Sequence, residues 1–381
     1  MNILCASDSL KGTLSSEKTA LLLTRAAREV FGEVHCDSVP VADGGEGTTE
    51  AVIAAEQGEI VSVPVHGPMM EPVNAFYGRI DERRAVLEMA AASGLPLVPE
   101  GERNPLLATT YGTGELIRRV LEDGYREIAI AIGGSATNDG GMGCARALGV
   151  RFFDALGNEL EGRGQDLEKV VSIDASGIDR RIREAKITVM CDVTNPLCGP
   201  DGATWTFGAQ KGADEAMQHR LEAGMKNYRN VIRDTFDVDP DSIPGSGAAG
   251  GLGAALMVFC HGEMKSGIET VLDLIHFDER LRGIDLVVTG EGRTDWQSCF
   301  GKVMQGVGNR AKKLGIPAVG LSGSLGKDAD RIFEEGIESI ITTVDAPMPL
   351  AEALERAEEL YYQGAIRMFR MIRIGMEIAG K

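Results

Sequence analysis

Carboxylates, cations and glycines recur together at a few places in this 381-residue chain. Spans 8–16, 40–49, 133–143, 244–253, 289–302 and 319–327 hold 20 of its 49 glycines. Most of these spans also carry Asp, Lys, Asn or hydroxyl side chains, which turn formation alone does not require. In 127–143 an apolar run empties into Gly133, Gly134, Ser135, Thr137, Asn138 and Asp139. Glycines there allow the backbone to approach a phosphate, and amides at a helix start meet its charge. The plainer alternative is a tight turn with Asp139 as N-cap. A cap needs one polar side chain and this loop supplies four, which favours a ligand. Three further apolar runs end in charge: 285–289 in Glu291, Arg293 and Asp295, with Gln297, Ser298 and Lys302 beyond; 186–191 in Asp192 and Asn195; and 2–7 in Asp8-Ser9-Leu10-Lys11. Asp43 and Glu46 follow 35–41 in the same way. One such Asp could be a turn residue, but charges at several strand ends of an α/β protein point to a site.

Phosphoryl transfer fits this inventory. It needs cradling amides, cations against the γ-phosphate, carboxylates for Mg²⁺ and a carboxylate at the attacking hydroxyl. Lys11, Arg293 and Lys302 are the available cations, and Asp192 and Asp295 the candidate carboxylates. The familiar signatures are absent: no Walker A run, no protein-kinase motif set and no G-x-S-x-G. A literal G-x-G-x-x-G stands at Gly245, Gly247 and Gly250, but 237–244 before it is no strand. A closely packed helix through Ala248, Ala249, Gly250 and Gly253 explains it as well as dinucleotide binding does. The five histidines show no metal spacing, and the seven cysteines are scattered singly, as in a reduced, cytoplasmic protein. A formal charge of −18 argues against nucleic acid and anionic membrane surfaces as partners. No apolar run approaches the roughly 18 residues of a membrane span, and no signal peptide is expected.

These loops need strands and helices to hold them. Apolar strands are expected at 2–7, 35–41, 58–65, 127–132, 186–192, 285–289, 316–321 and 339–344. Helices are expected from about Ser15, over 48–55, 302–314 and 328–335, and from about Leu350. The alternation implies an α/β fold: a doubly wound, parallel-sheet domain of the flavodoxin or Rossmann kind, with a second α/β domain inserted. The expected parse is 1–66 plus 284–381 for the first domain and 67–283 for the insertion. Ligands of such sheets bind at the carboxyl ends of the strands.

The ordered motifs Asp8-Ser-Leu-Lys-Gly-Thr-Leu-Ser-Ser16, Pro40-Val-Ala-Asp-Gly-Gly-Glu-Gly-Thr48 and Gly133-Gly-Ser-Ala-Thr-Asn-Asp-Gly-Gly141 resemble those of the bacterial glycerate kinases of the first family, which have no P-loop. Cys191-Asp-Val-Thr-Asn-Pro-Leu197, Pro244–Gly253 and Thr289-Gly-Glu-Gly-Arg-Thr-Asp295 continue the resemblance over essentially the whole chain. It implies ATP-dependent, Mg²⁺-assisted phosphorylation of D-glycerate in a cleft between two α/β domains. The implied product is 2-phosphoglycerate, feeding glyoxylate or sugar-acid carbon into glycolysis, with 3-phosphoglycerate the alternative. Under this resemblance Lys11, Asp192 and Asp295 are catalytic, and Asp192 or Asp295 serves Mg²⁺. Gly133, Gly134, Ser135, Thr137, Asn138, Asp139 and Asn195 meet ATP phosphates. Asp8, Ser9, Asp43, Gly247, Glu291, Arg293 and Gln297 meet the acid. Small molecules are then the partners, and the chain is a monomer or homodimer. The chain departs from the family's usual pattern at Leu10, where Phe is common, and at Thr294-Asp-Trp-Gln-Ser298, where Ile-Asp-Ser-Gln-Thr is frequent. A nucleotide-dependent oxidoreductase and a non-catalytic sensor are the competing classes.

Overall fold

Asn2–Cys5, an apolar strand buried on both faces, lies beside Leu286–Thr289 although some 280 residues separate them in sequence. In the computed structural model, which describes residues 1–10 and 12–380, the chain divides into two compact units. One comprises 1–43, 50–57 and 267–381, and the other 44–49 and 58–266.

The first unit is built on a five-stranded, all-parallel sheet in the order Ile337–Thr342, Ala318–Ser322, Leu286–Thr289, Asn2–Cys5, His35–Ser38. Side chains alternate across it, as the two-residue period of a strand demands. Ile3, Cys5, Val288 and Leu321 join the cluster formed with helices Ser16–Phe31 and Ala357–Ala379. Gly320 faces the other way, where a Cβ would lie 2.6 Å from Met304 of helix Val303–Lys313. Helices therefore cover both faces. Ser16–Phe31 starts where Ser15 Oγ accepts from the Lys18 amide at 3.2 Å. Its stripe of Leu22, Leu23, Ala26, Ala27 and Val30 is buried.

The second unit holds a six-stranded sheet in the order Glu263–Lys265, Lys186–Met190, Glu127–Ala131, Arg84–Glu88, Pro72–Arg79, Glu59–His66. The first four strands are parallel, and Pro72–Arg79 pairs antiparallel with both Arg84–Glu88 and Glu59–His66. Helices Tyr111–Glu122, Met142–Ala147, Glu215–Phe236 and Leu252–Cys260 contribute to its core through Leu116, Met142, Leu221, Tyr228, Leu256 and Phe259.

Three details differ from the sequence reading. The strand at 59–66, expected in the first domain, turns through 67–71 and pairs along its whole length with Pro72–Arg79 in the second sheet. The segment 267–280, expected in the insertion, belongs to the first unit. Arg310 of helix Val303–Lys313 holds it through Glu269, Asp273 and Asp278 at 2.6, 2.8 and 2.9 Å. The helix expected at 328–335 is a tighter 3₁₀ run over Ala329–Glu335. No described helix is long and apolar enough to cross a membrane.

Candidate active site

In the first unit the chain leaves Asn2–Cys5 towards His35–Ser38 on one side, and leaves Leu286–Thr289 towards Ala318–Ser322 on the other. The two loops that follow these central strands part company, which opens the crevice where doubly wound sheets bind ligands. A cavity of about 610 Å³ lies there. Asp8, Ser9, Glu291, Arg293 and Lys302 line one part of it, with Gly292, Gly323 and Ser324. The Asp8 amide donates to Gly290 O at 2.9 Å, tying the two loops together.

Glu291 is 4% exposed. It accepts from Thr294 Oγ1 at 3.0 Å, and that hydroxyl lies 2.6 Å from Ser322 Oγ. Burial raises its carboxyl above the usual range; the Ser298 hydroxyl and the Lys302 charge pull it down, and the Asp295 charge pushes it up. Asp295 is the N-cap of the turn Trp296–Cys299: its Oδ1 accepts from the Gln297 amide at 3.0 Å, and its own amide donates to Ser298 Oγ at 3.1 Å. Arg293 Nε stands 3.4 Å from Asp295 Oδ2. Gln297 is exposed and outside the cavity lining. Lys302 is the N-cap residue of helix Val303–Lys313. A lysine at that end opposes the helix dipole, an arrangement that an anion relieves. Lys11 lies outside the described residues, and Asp43 is half-buried.

In the second unit the loops after Arg84–Glu88, Glu127–Ala131 and Lys186–Met190 are neighbours. Gly133 and Gly134 are exposed, with Ser135 at their edge. Thr137, Asn138 and Asp139 point inwards and are fully buried. Asp139 accepts from the Thr110 amide at 2.7 Å, the Thr110 hydroxyl at 2.8 Å and the amides of Gly141 and Gly143 at 3.0 and 3.2 Å. Burial nevertheless raises its carboxyl. Asn138 Nδ2 donates to Thr204 Oγ1 at 2.9 Å. Asn138 and Asp139 hold the loop, and its exposed part is Gly133–Gly134. Asp192 is exposed, and Asn195 Nδ2 donates to Asp201 O at 2.7 Å.

Gly247 is buried, with its amide on Asn195 O at 3.0 Å and no room for a Cβ, which would fall 2.0 Å from Pro196 O. At Gly250, φ is +67° and a Cβ would fall 2.0 Å from Thr137 O. The G-x-G-x-x-G is thus a place where chain packs on chain, and a 3₁₀ turn precedes it instead of a strand.

Two residues escaped the sequence reading. Glu88 closes its strand and accepts from the amides of Gly47 and Thr49 at 3.3 and 2.8 Å. Its place after an apolar run is the same signal that marked Asp192. Lys211 is 2% exposed and donates to Thr137 O at 2.7 Å, and nothing in its polar sequence neighbourhood announces this.

The sequence profile of the glycerate kinase family matches residues 3–373. The chain is 46% identical over 381 residues, all of both chains, to a protein of Escherichia coli K12 named glycerate 2-kinase. It is 44% identical over 360 residues to a glycerate kinase of Bacillus cereus, covering 94% of each. A crystal structure from Salmonella typhimurium LT2, whose name assigns it provisionally as glycerate kinase 2, superposes with a TM-score of 0.89 at 44% identity over 99% of both chains. With a family match over almost its whole length and this shared fold, the chain belongs to the glycerate kinase family.

Proposed function

We propose that this chain is a cytoplasmic enzyme that transfers the γ-phosphate of ATP to D-glycerate in the presence of Mg²⁺, giving 2-phosphoglycerate. The observation that carries the proposal is the gathering of Asp8, Glu291, Arg293 and Lys302 around one cavity at the switch point of the first sheet. The name of the Escherichia coli relative supports the 2-position.

The donor set suits Mg²⁺. Glu291 lines the cavity with its carboxyl raised chiefly by burial, the Asp295 charge adding a little, and one or two carboxylates completed by phosphate oxygens are the usual ligands of this ion. Among the described residues no group of three or more His, Cys, Asp or Glu forms a protein-only cage. Asp295 and Glu291 would hold the ion, which supplies positive charge to the β- and γ-phosphate oxygens.

A carboxylate of the site accepts the proton of the glycerate hydroxyl as its oxygen attacks the γ-phosphorus. The bond from that phosphorus to the bridging oxygen breaks, and ADP leaves with the electron pair. Lys11, Arg293 and Lys302 neutralise the charge on the transferring group. In the second unit the exposed Gly133–Gly134 backbone is open to an anion such as a phosphate. Asp8 and Ser9 offer an acceptor and a donor to the hydroxyls of the acid.

An assay with ATP, Mg²⁺ and D-glycerate, coupled to enolase with and without phosphoglycerate mutase, tests this. ADP release with product consumed by enolase alone is the expected result. A requirement for the mutase would move the phosphate to the 3-position, and no ADP release would overturn the kinase reading.

A further inference from the structure

The cavity of the first unit is much larger than a three-carbon acid needs, and its two ends differ in kind. Its 610 Å³ falls in the range of about 300–1,000 Å³ typical of sites for larger organic ligands. The charged end lies after Asn2–Cys5 and Leu286–Thr289. The opposite wall comes from the segment after Ile337–Thr342 and from helix Leu350–Glu355, through Val344, Pro347, Met348, Leu350, Ala353 and Leu354. No ionisable side chain lines that wall. Leu350 and Leu354, one turn apart on the helix, are 73% and 46% exposed and leave aliphatic surface open on the cavity side.

The sheet order gives the distance between these ends. Ile337–Thr342 and Asn2–Cys5 are separated by two strands, hence by three interstrand spacings, about 14 Å. Glycerate is too short to reach both ends, and it has no apolar face for the wall. A nucleoside triphosphate has both properties: a flat ring system to lie on aliphatic side chains and an anionic tail to meet Arg293 and Lys302.

We propose that this cavity is the nucleotide site, with the purine ring against Val344, Met348, Ala353 and Leu354 and the phosphates running past Ser324 towards Lys302 and Arg293. The assignment rests on the ATP-dependent activity proposed above and names the surface that recognises the base. The acid then binds at the Asp8 end.

Ala353→Trp fills the apolar end, and Leu354→Glu, at an exposed position, gives it a charge without disturbing the core. Both variants are compared with the full-length parent in steady-state kinetics and in titrations with N-methylanthraniloyl-ADP, followed by its fluorescence. The expected result is a rise in the KM for ATP and in the Kd for the labelled ADP of about tenfold, equivalent to roughly 1.4 kcal/mol, with the KM for D-glycerate unchanged. A rise confined to the KM for D-glycerate, or no change in nucleotide affinity in either variant, overturns the assignment while leaving the kinase reading in place. If the parent binds the labelled ADP, and the variants lose it, without phosphoglycerate forming, the kinase reading fails and the nucleotide site stands.

Discussion

The Lys211 ammonium donates a 2.7 Å hydrogen bond to the Thr137 carbonyl from a position only 2% exposed to solvent. It thereby fastens the buried half of a loop whose other half, Gly133–Gly134, faces solvent. Burial holds its pKa down to about 7, against the opposing pull of Asp139.

A pH dependence follows. The native lysine is neutral above about 7, whereas the unfolded chain keeps it protonated to about 10.4. Between those values the unfolded chain binds the extra proton, so this group makes stability rise with pH, by at most about 1.4 kcal/mol per unit. Below about 7 both states are protonated, and this contribution levels off. Chemical denaturation of the parent and of Lys211→Met at pH 6 to 9 should show a rising component in the parent that the variant lacks. Parallel profiles would mean that the buried amine does not titrate in this range.

Gly250→Ala tests the packing role of the G-x-G-x-x-G. The new methyl group would meet Thr137 O at 2.0 Å, on a residue with φ of +67°. Left-handed strain and overpacking together should cost about 3 kcal/mol or more, a fall in Tm of roughly 6–12 °C for a unit of this size. NAD and NADP should show no affinity for the parent. An unchanged Tm combined with measurable NAD binding would restore the dinucleotide reading.

The charged lining of the first cavity was legible because Asp8, Glu291 and Arg293 follow apolar runs, and a parallel sheet brings such run ends together whatever their separation in sequence. The direction of a side chain within a loop has no such rule. Thr137, Asn138 and Asp139 read as ligand groups, yet they turn inwards because the carboxylate at 139 collects the donors around Thr110 and the start of helix Met142–Ala147. The apolar wall around Leu354 escaped for a related reason. Aliphatic residues on a helix predict burial by protein, and only the cavity opposite them shows that a ligand could do the covering. The strand at 59–66 sits in the second unit because strand pairing depends on partners across a turn, here Pro72–Arg79, which periodicity alone does not identify.

Lys11→Ala should lower kcat/KM by two or more orders of magnitude, roughly 3 kcal/mol, if its charge meets the γ-phosphate in the transition state. Steady-state kinetics with both substrates varied would show it. A loss below about tenfold would remove Lys11 from the transferring group.

Asp295→Asn separates charge from architecture. The native carboxylate caps the turn Trp296–Cys299 by accepting from the Gln297 amide at 3.0 Å, and an asparagine oxygen accepts the same bond nearly as well. Stability should therefore change by less than about 1 kcal/mol. What is lost is the negative charge beside Glu291 and Arg293, and with it, under the proposed role in Mg²⁺ binding, most of the affinity for that ion. The expected outcome is a fall in kcat of about a hundredfold or more, partly recovered at high Mg²⁺, with an unaltered melting curve. Near-parental kcat at ordinary Mg²⁺, with the fold intact, would show that Asp295 serves the turn and not the reaction.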